Sequence, residues 1–238
     1  MNPIVVVAAG AALLIAWEGL APGVRQPRIK GWLARVALLN SVQIAVVYLG
    51  ASSWDQWLPH WRLWNGEALG TVAGVALGYV VVTFVYYWWH RARHRSQFLW
   101  QWFHQVHHSP ARIEVITSFY KHPFELLANG LLSSLVLHVL LGLSPASASV
   151  VVAITGVAEL IYHCNIRTPY WLGFIFQRPE SHRRHHQLGH HSHNYSDLPL
   201  WDLMFGTFDN PRENPPECGF GGTRERQLLR MLLGRSPR

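Results

Sequence analysis

The sequence predicts an all-α, polytopic integral membrane protein of about four to five transmembrane helices carrying a cytoplasmic, histidine-rich helical cap. Three observations point there. Half of the 238 residues are hydrophobic, and they gather into long runs with few charges. The 15 histidines cluster directly after such runs. The net charge of +7 comes largely from arginines beside the apolar runs, the pattern of loops facing the cytoplasmic leaflet, rather than a nucleic-acid-binding face. The mean hydropathy is only slightly positive because polar and apolar residues are segregated along the chain.

Pro3 to Leu20 is an apolar run with one acid, Glu18, and no basic leader, and reads as a retained first span. The next loop holds Arg25, Arg28, Lys30 and Arg35 without an acid, which places it inside the cell. Val36 to Ala51 reads as a second span. Trp54, Trp57, Trp61 and Trp64 come next at helical spacing and predict an interfacial helix lying flat on the far side. Gly70 to Trp89 has no charge and is the clearest span. Phe124 to Leu143 and Ala146 to Tyr162, joined by a tight GLSP turn, form a helical hairpin that returns the chain to the inner side. After Phe208 the chain turns Pro/Gly-rich, so residues 1–208 read as the catalytic domain and 209–238 as a linker with a basic amphipathic tail. Cys164 and Cys218 fit no zinc-finger or disulfide pattern.

The chemistry is concentrated in three clusters. On a helix, His90 and His94 (HxxxH) share one face, as do His104, His107 and His108 (HxxHH), and the second spacing recurs at His182, His185 and His186. So many charged imidazoles would repel one another, whereas neutral ones around a cation would not. Eight such nitrogens suffice for four on each of two metal ions, and imidazole suits iron, copper, nickel or zinc. The hairpin brings His163 to the same side as a ninth. No ExxH or HExxH occurs, which excludes carboxylate-bridged di-iron bundles and zinc peptidases, and no nucleotide fingerprint is present.

The order HxxxH, HxxHH, HxxHH resembles the fatty acid hydroxylase superfamily, which includes sterol desaturases, sterol methyl oxidases and carotenoid hydroxylases. YHCNIR (His163, Asn165), KHPFE (His122, Pro123, Glu125) and NYSDLPLWDLMFGTF (Asn194 to Phe208) are similar to further elements of that family. Two positions depart from the pattern: Ser196 stands where glycine is usual, and Tyr120 where a basic residue often stands. The resemblance implies two iron ions, with O2 as co-substrate, held by His90, His94, His104, His107, His108, His163, His182, His185 and His186. Asn165, His122, Glu125, Glu159 and Asp202 are the candidates to support those rings.

The expected function is therefore O2-dependent hydroxylation or desaturation of a membrane lipid (sterol-like, fatty acyl, ether lipid or carotenoid). No flavin, haem or iron–sulfur segment is recognisable, so electrons are expected from a separate ferredoxin, cytochrome b5-like protein or reductase. Its dock is expected on the basic face around Arg91 to Arg95 and Arg183, Arg184. The alternative is a redox-inert, zinc-binding membrane protein, since zinc accepts the same ligands. Gly74, Gly78, Tyr79, Phe84 and Gly130 are candidates for a substrate channel. His60, His138 and the group His190, His191, His193 match no box, although one of that group is a candidate to join the site.

Overall fold

The computed structural model describes residues 2–238, which form helices and loops with no strand beyond one isolated bridge between Gln187 and Cys218. Five helices are long and apolar enough to cross a bilayer. They are α1 (Pro3–Leu20), α2 (Trp32–Ser52), α3 (Gly70–Arg95), α4 (Pro123–Ser134) and α5 (Pro145–His163). A π-helical turn, Leu135–Leu140, prolongs α4. None of the residues of α1 is buried; Leu13 and Leu20 are 73% and 87% exposed. A helix apolar on every side is unfavourable in water and at home in lipid.

Small residues bring the helices together, as packing in lipid favours. Gly10 of α1 faces Val157 and Leu160 of α5, while Gly74 and Gly78 of α3 meet Ser147, Leu143 and Val151. The α4–α5 connection is the tight turn expected. Gly142 has φ +54°, and a Cβ there would lie 1.8 Å from the carbonyl oxygen of Trp64. Ser144 then caps α5 by accepting from the Ser147 amide at 3.2 Å, with Pro145 in the first turn.

The expected flat tryptophan helix is not continuous. A single α turn, Trp54–Trp57, passes into a 3-10 turn, Leu58–Trp61, and Trp64 lies outside both. Pro59 accounts for the break, because it has no N–H to donate to the carbonyl four residues back and its ring crowds that carbonyl.

The odd-numbered helices end, and the even-numbered ones begin, at the same end of the bundle. There the remaining chain forms a cap. It contains the helical run from Gln97 to His108, the helix α6 (Pro179–His185) and the C-terminal turn Leu228–Leu232. That last turn is no loose tail: Leu228 and Met231 are buried in a cluster with Trp32, Val36, Val106 and Tyr120, while Leu229 and Leu233 stay exposed.

Candidate metal centre

At the end of α3 the 3.6-residue repeat sets His90 and His94 one above the other, rings 5.1 Å apart. After Ser96 caps a new helical start, Trp100–His104 adopts a π turn and the α form resumes at Gln105–His108. A π turn inserts an extra residue and changes the angular phase of the residues after it, a device found often at functional sites. It points His104, His107 and His108 together into the cap, all three buried. In α6, Pro179 starts a short helix, His182 and His185 stand at i, i+3, and His186 is its C-cap.

These elements and the end of α5 bring all nine predicted histidines into two adjoining groups. One comprises His90, His94, His104, His108 and His185; the other comprises His107, His163, His182 and His186. Within each group one ring nitrogen per residue lies within 4.8 Å of all the others. The groups meet where the His108 and His186 rings stack at 4.2 Å.

Several rings are oriented by the backbone. The Nδ1 atoms of His90, His163 and His185 lie 2.8, 2.8 and 2.7 Å from the carbonyl oxygens of Tyr195, Glu159 and His193. A carbonyl oxygen only accepts, so each Nδ1 carries the hydrogen and each Nε2 a lone pair. Yet His90 Nε2 and His185 Nε2 stand 3.0 Å apart, and His163 Nε2 lies 3.0 Å from His182 Nε2 and 3.3 Å from His107 Nε2. Two lone pairs face each other across the His90–His185 contact.

Protonation offers no relief. Burial, reinforced by neighbouring positive charge, holds His104, His107, His108, His182 and His186 well below the ordinary imidazole value. Burial likewise takes His185 down to about 3. A cation between the rings removes the conflict. Metal–imidazole bonds of about 2.1 Å separate adjacent ligand nitrogens by about 3.0 Å at a right angle and about 3.4 Å at the tetrahedral angle. The observed spacings fall in that range, so the residues present fit a pair of metal ions. The buried His94 Nε2, His107 Nδ1 and His186 Nδ1 have no protein partner.

The expected supporting residues divide. Glu125 is fully buried and its Oε1 accepts from His104 Nδ1 at 3.0 Å while pairing with the buried guanidinium of Arg93. Glu159 serves His163 through its carbonyl, and its carboxylate pairs with Lys121. Asp202 acts one step away. It accepts from the amides of Tyr195 and Ser196 at 2.8 and 2.9 Å, fixing the loop whose Tyr195 carbonyl orients His90. Asn165 and His122 touch none of the nine. Asn165 ties the end of α5 to the loop after α1 through Val24, and His122 caps α4 by accepting from the Phe124 amide at 3.1 Å.

Ser196 in place of the usual glycine brings no strain, since the positive φ values here belong to His191, His193 and Asn194. Its hydroxyl accepts from the Leu198 amide at 3.1 Å. Tyr120 is buried against Trp32, and the neighbouring Lys121 is the base that faces Glu159.

His191 is the member of the loop group that reaches the site: its Nδ1 lies 3.1 Å from His108 Nδ1, and burial lowers its pKa to about 4. His190 and His193 stack on each other instead. The carbonyls of Tyr195 and His193 were not foreseeable, because main-chain partners leave no mark in residue type, and the Gln177 side-chain amide, 3.1 Å from His182 Nδ1, belongs to none of the recognised motifs.

The expected basic docking face needs correction. Arg93 and Arg183 are buried, the latter donating to the Ile113 carbonyl, and Arg184 pairs with Asp209 at 2.9 Å; Arg95 remains exposed. The channel candidates also separate. Gly130 lines a cavity inside the bundle and Tyr79 a groove on its flank. Gly74 and Gly78 serve helix packing, and Phe84 packs on Trp201 at the bundle surface.

Comparison with known proteins agrees with this geometry. Residues 75–207 match the family model described as fatty acid hydroxylase. The chain is 35% identical over 164 residues to ornithine lipid hydroxylase of Rhizobium tropici, covering 66% of this chain and 49% of that protein. It is 33% identical over 192 residues to a very-long-chain aldehyde decarbonylase of Oryza sativa subsp. indica, covering 69% and 27%. Sphingolipid C4-hydroxylase of Schizosaccharomyces pombe is 28% identical over 134 residues, covering 55% and 46%. The chain thus spans about half the length of these relatives or less. No solved structure gives a significant match. On the family match and the histidine pattern it covers, this chain belongs to the fatty acid hydroxylase family.

Proposed function

We propose that the chain is a multi-pass membrane oxidoreductase that uses O2 and external electrons to hydroxylate or desaturate a lipid, with nine histidines holding two iron ions on the cytoplasmic side. The observation that carries the reading is the His90–His185 contact, where two nitrogens whose rings donate elsewhere face each other at 3.0 Å. Such a pair is stable around a cation. Iron bound there supplies the O2 chemistry needed to break an unactivated C–H bond.

The chain's own residues do the rest. Tyr195, Glu159 and His193 fix three rings through their carbonyls, and Glu125 fixes a fourth, keeping each ligand nitrogen unprotonated and aimed. Arg93 offsets the charge of Glu125 in a place water does not reach. The cavity that touches His90, His104, His107 and His182 opens into the helix bundle, so a lipid can approach from the membrane side, screened from the aqueous phase. Relatives named as hydroxylases of ornithine lipid and sphingolipid, and as decarbonylases of long-chain aldehydes, support a lipid substrate. A separate reductant, a ferredoxin, cytochrome b5-like protein or reductase, delivers the electrons.

Lipid profiling of cells with and without the gene under 18O2 tests the reading. The expected result is a lipid that gains one labelled oxygen, or loses two hydrogens, only when the protein and its donor are present. An unchanged lipid pool with a competent donor, and zinc retained in the purified protein, would favour a redox-inert zinc site, which an all-imidazole ligand set also accepts.

A further inference from the structure

Two hollows approach the histidines, and their walls differ in kind. The first, of about 200 Å³, lies inside the bundle between α2, α3, α4 and α5. Gln43, Thr83, Tyr86, Asn129, Ser133 and Thr155 face it, an unusual density of amides and hydroxyls for a membrane interior. A carboxylate oxygen stands without a hydrogen-bond partner at each end, the far one with His138 Nε2 4.0 Å away. Glu125 Oε2 lies beside the histidines and Asp55 Oδ1 at the opposite pole, both buried. A bare hydrocarbon would leave those acceptors unsatisfied, whereas N–H or O–H groups would meet them.

The second hollow, of about 420 Å³, is a groove on the flank of the bundle between α1, α5 and the segment around Leu172 and Phe176. Val6, Val150, Ile154, Ile161, Leu172 and Phe176 give it an apolar wall suited to an alkyl chain. Tyr162 and Asp197 are common to both hollows. Tyr162 and Asp197 line that shared wall together, and the Tyr162 ring lies 4.5 Å from that of His182. The boundary between the chambers therefore stands beside the histidine groups.

Resting on the oxidoreductase reading above, we infer that the two hollows form one substrate site. The flank groove holds the alkyl chain of an amphiphile, the inner cavity holds its uncharged hydrogen-bond-donating head, an amide or hydroxyl, and Tyr162 with Asp197 contacts the junction. Since the inner cavity touches His90, His104, His107 and His182 and the junction stands beside His182, oxidation falls within a few carbons of the head rather than at the far end of the chain. Wholly apolar hydrocarbons are poor occupants.

Photocrosslinking of the full chain in lipid nanodiscs tests this, using two forms of a long-chain N-acyl amino alcohol. One carries a diazirine beside the amide, the other near the end of the chain. The head probe is expected to label α2 and α4 near Gln43 and Asn129, and the chain probe Ile154 to Ile161 and Leu172 to Phe176. Gln43→Leu should lower head labelling at least fivefold while leaving labelling of lipid-facing Val72 unchanged, and Asn129→Leu provides a second, independent variant. Head labelling confined to the groove or the outer surface would leave the cavity to water, and equal cavity labelling by a diazirine alkane would make it a hydrocarbon site; either would overturn the assignment. Crosslinking reads occupancy without turnover. Absence of both 18O incorporation and hydrogen loss, with the labelling intact, would thus count against the oxidoreductase reading alone.

Discussion

At the scale of the residue, the chemistry depends on which nitrogen of each ring carries the hydrogen. His185 and His107 sit in different groups, so on the proposed two-ion reading each would serve a different ion. His107→Ala and His185→Ala should each lower metal content and abolish lipid oxidation, while His60→Ala, at an exposed 3-10 turn, should change neither; metal analysis of the purified variants and product assay decide it. Glu125→Gln keeps the shape but weakens the hold on His104 and leaves the Arg93 charge poorly paired. Losses of supporting partners of this kind cost about 10–100-fold in metal affinity or activity, and a competition titration with a chelator measures that directly.

The buried rings also set a pH dependence. Folded His185 binds its proton only near 3, whereas an unfolded imidazole does so near 6.5. Between those values the unfolded chain binds more protons than the folded one, so stability falls as pH drops. The metal-free protein should therefore be fully stable above about pH 6.5 and melt progressively lower through pH 6 to 4 in thermal scans. A melting temperature that rises on acidification would contradict the burial of the cluster.

Elements, rather than residues, decide whether the boxes meet. The spacing HxxHH reads as one face of a regular helix, and His107 and His108 do sit on an α turn. His104, however, is placed by a π turn that no residue type announces. Inserting one alanine after Gln101, beyond the single extra residue that the π turn absorbs, should swing the downstream histidines about 100° around the axis. The expected outcome is unchanged helix content by circular dichroism with loss of metal. The connection between α4 and α5 is a second such point. Gly142→Ala must strain a positive φ and crowd the Trp64 carbonyl, and should destabilise the protein by more than about 1 kcal/mol in reversible denaturation.

These elements also show why legibility in the sequence was uneven. Span boundaries and the box histidines were readable because apolar length and i, i+4 spacing are properties of residue type. The break at Pro59 was available in the sequence but outweighed by the tryptophan periodicity. A motif position does not say which way an amide turns; that of Asn165 turns to Val24. Two of the arginines expected on a docking face, Arg93 and Arg183, are drawn inward by Glu125 and the Ile113 carbonyl, partners distant in sequence.

At the scale of the whole molecule, alternation of the five helices delivers every histidine cluster to one end and the α4–α5 turn to the other. A reporter placed after Pro145 should therefore sit on the opposite side of the membrane from one placed at His190, with the latter in the cytoplasm; both on one side would break the arrangement. The burial of Met231 against Val106 extends this unity to the C-terminal turn, which braces the helix carrying His107 and His108.

The central claim is that one chain cradles two ions with imidazole alone. Metal stoichiometry with X-ray absorption on the protein loaded with iron under anaerobic conditions tests it most directly. The predicted result is two irons per chain, nitrogen neighbours near 2.1 Å with the scattering pattern of imidazole, and a drop towards one ion in His185→Ala. A single ion per chain, or sulfur in its coordination shell, would contradict it.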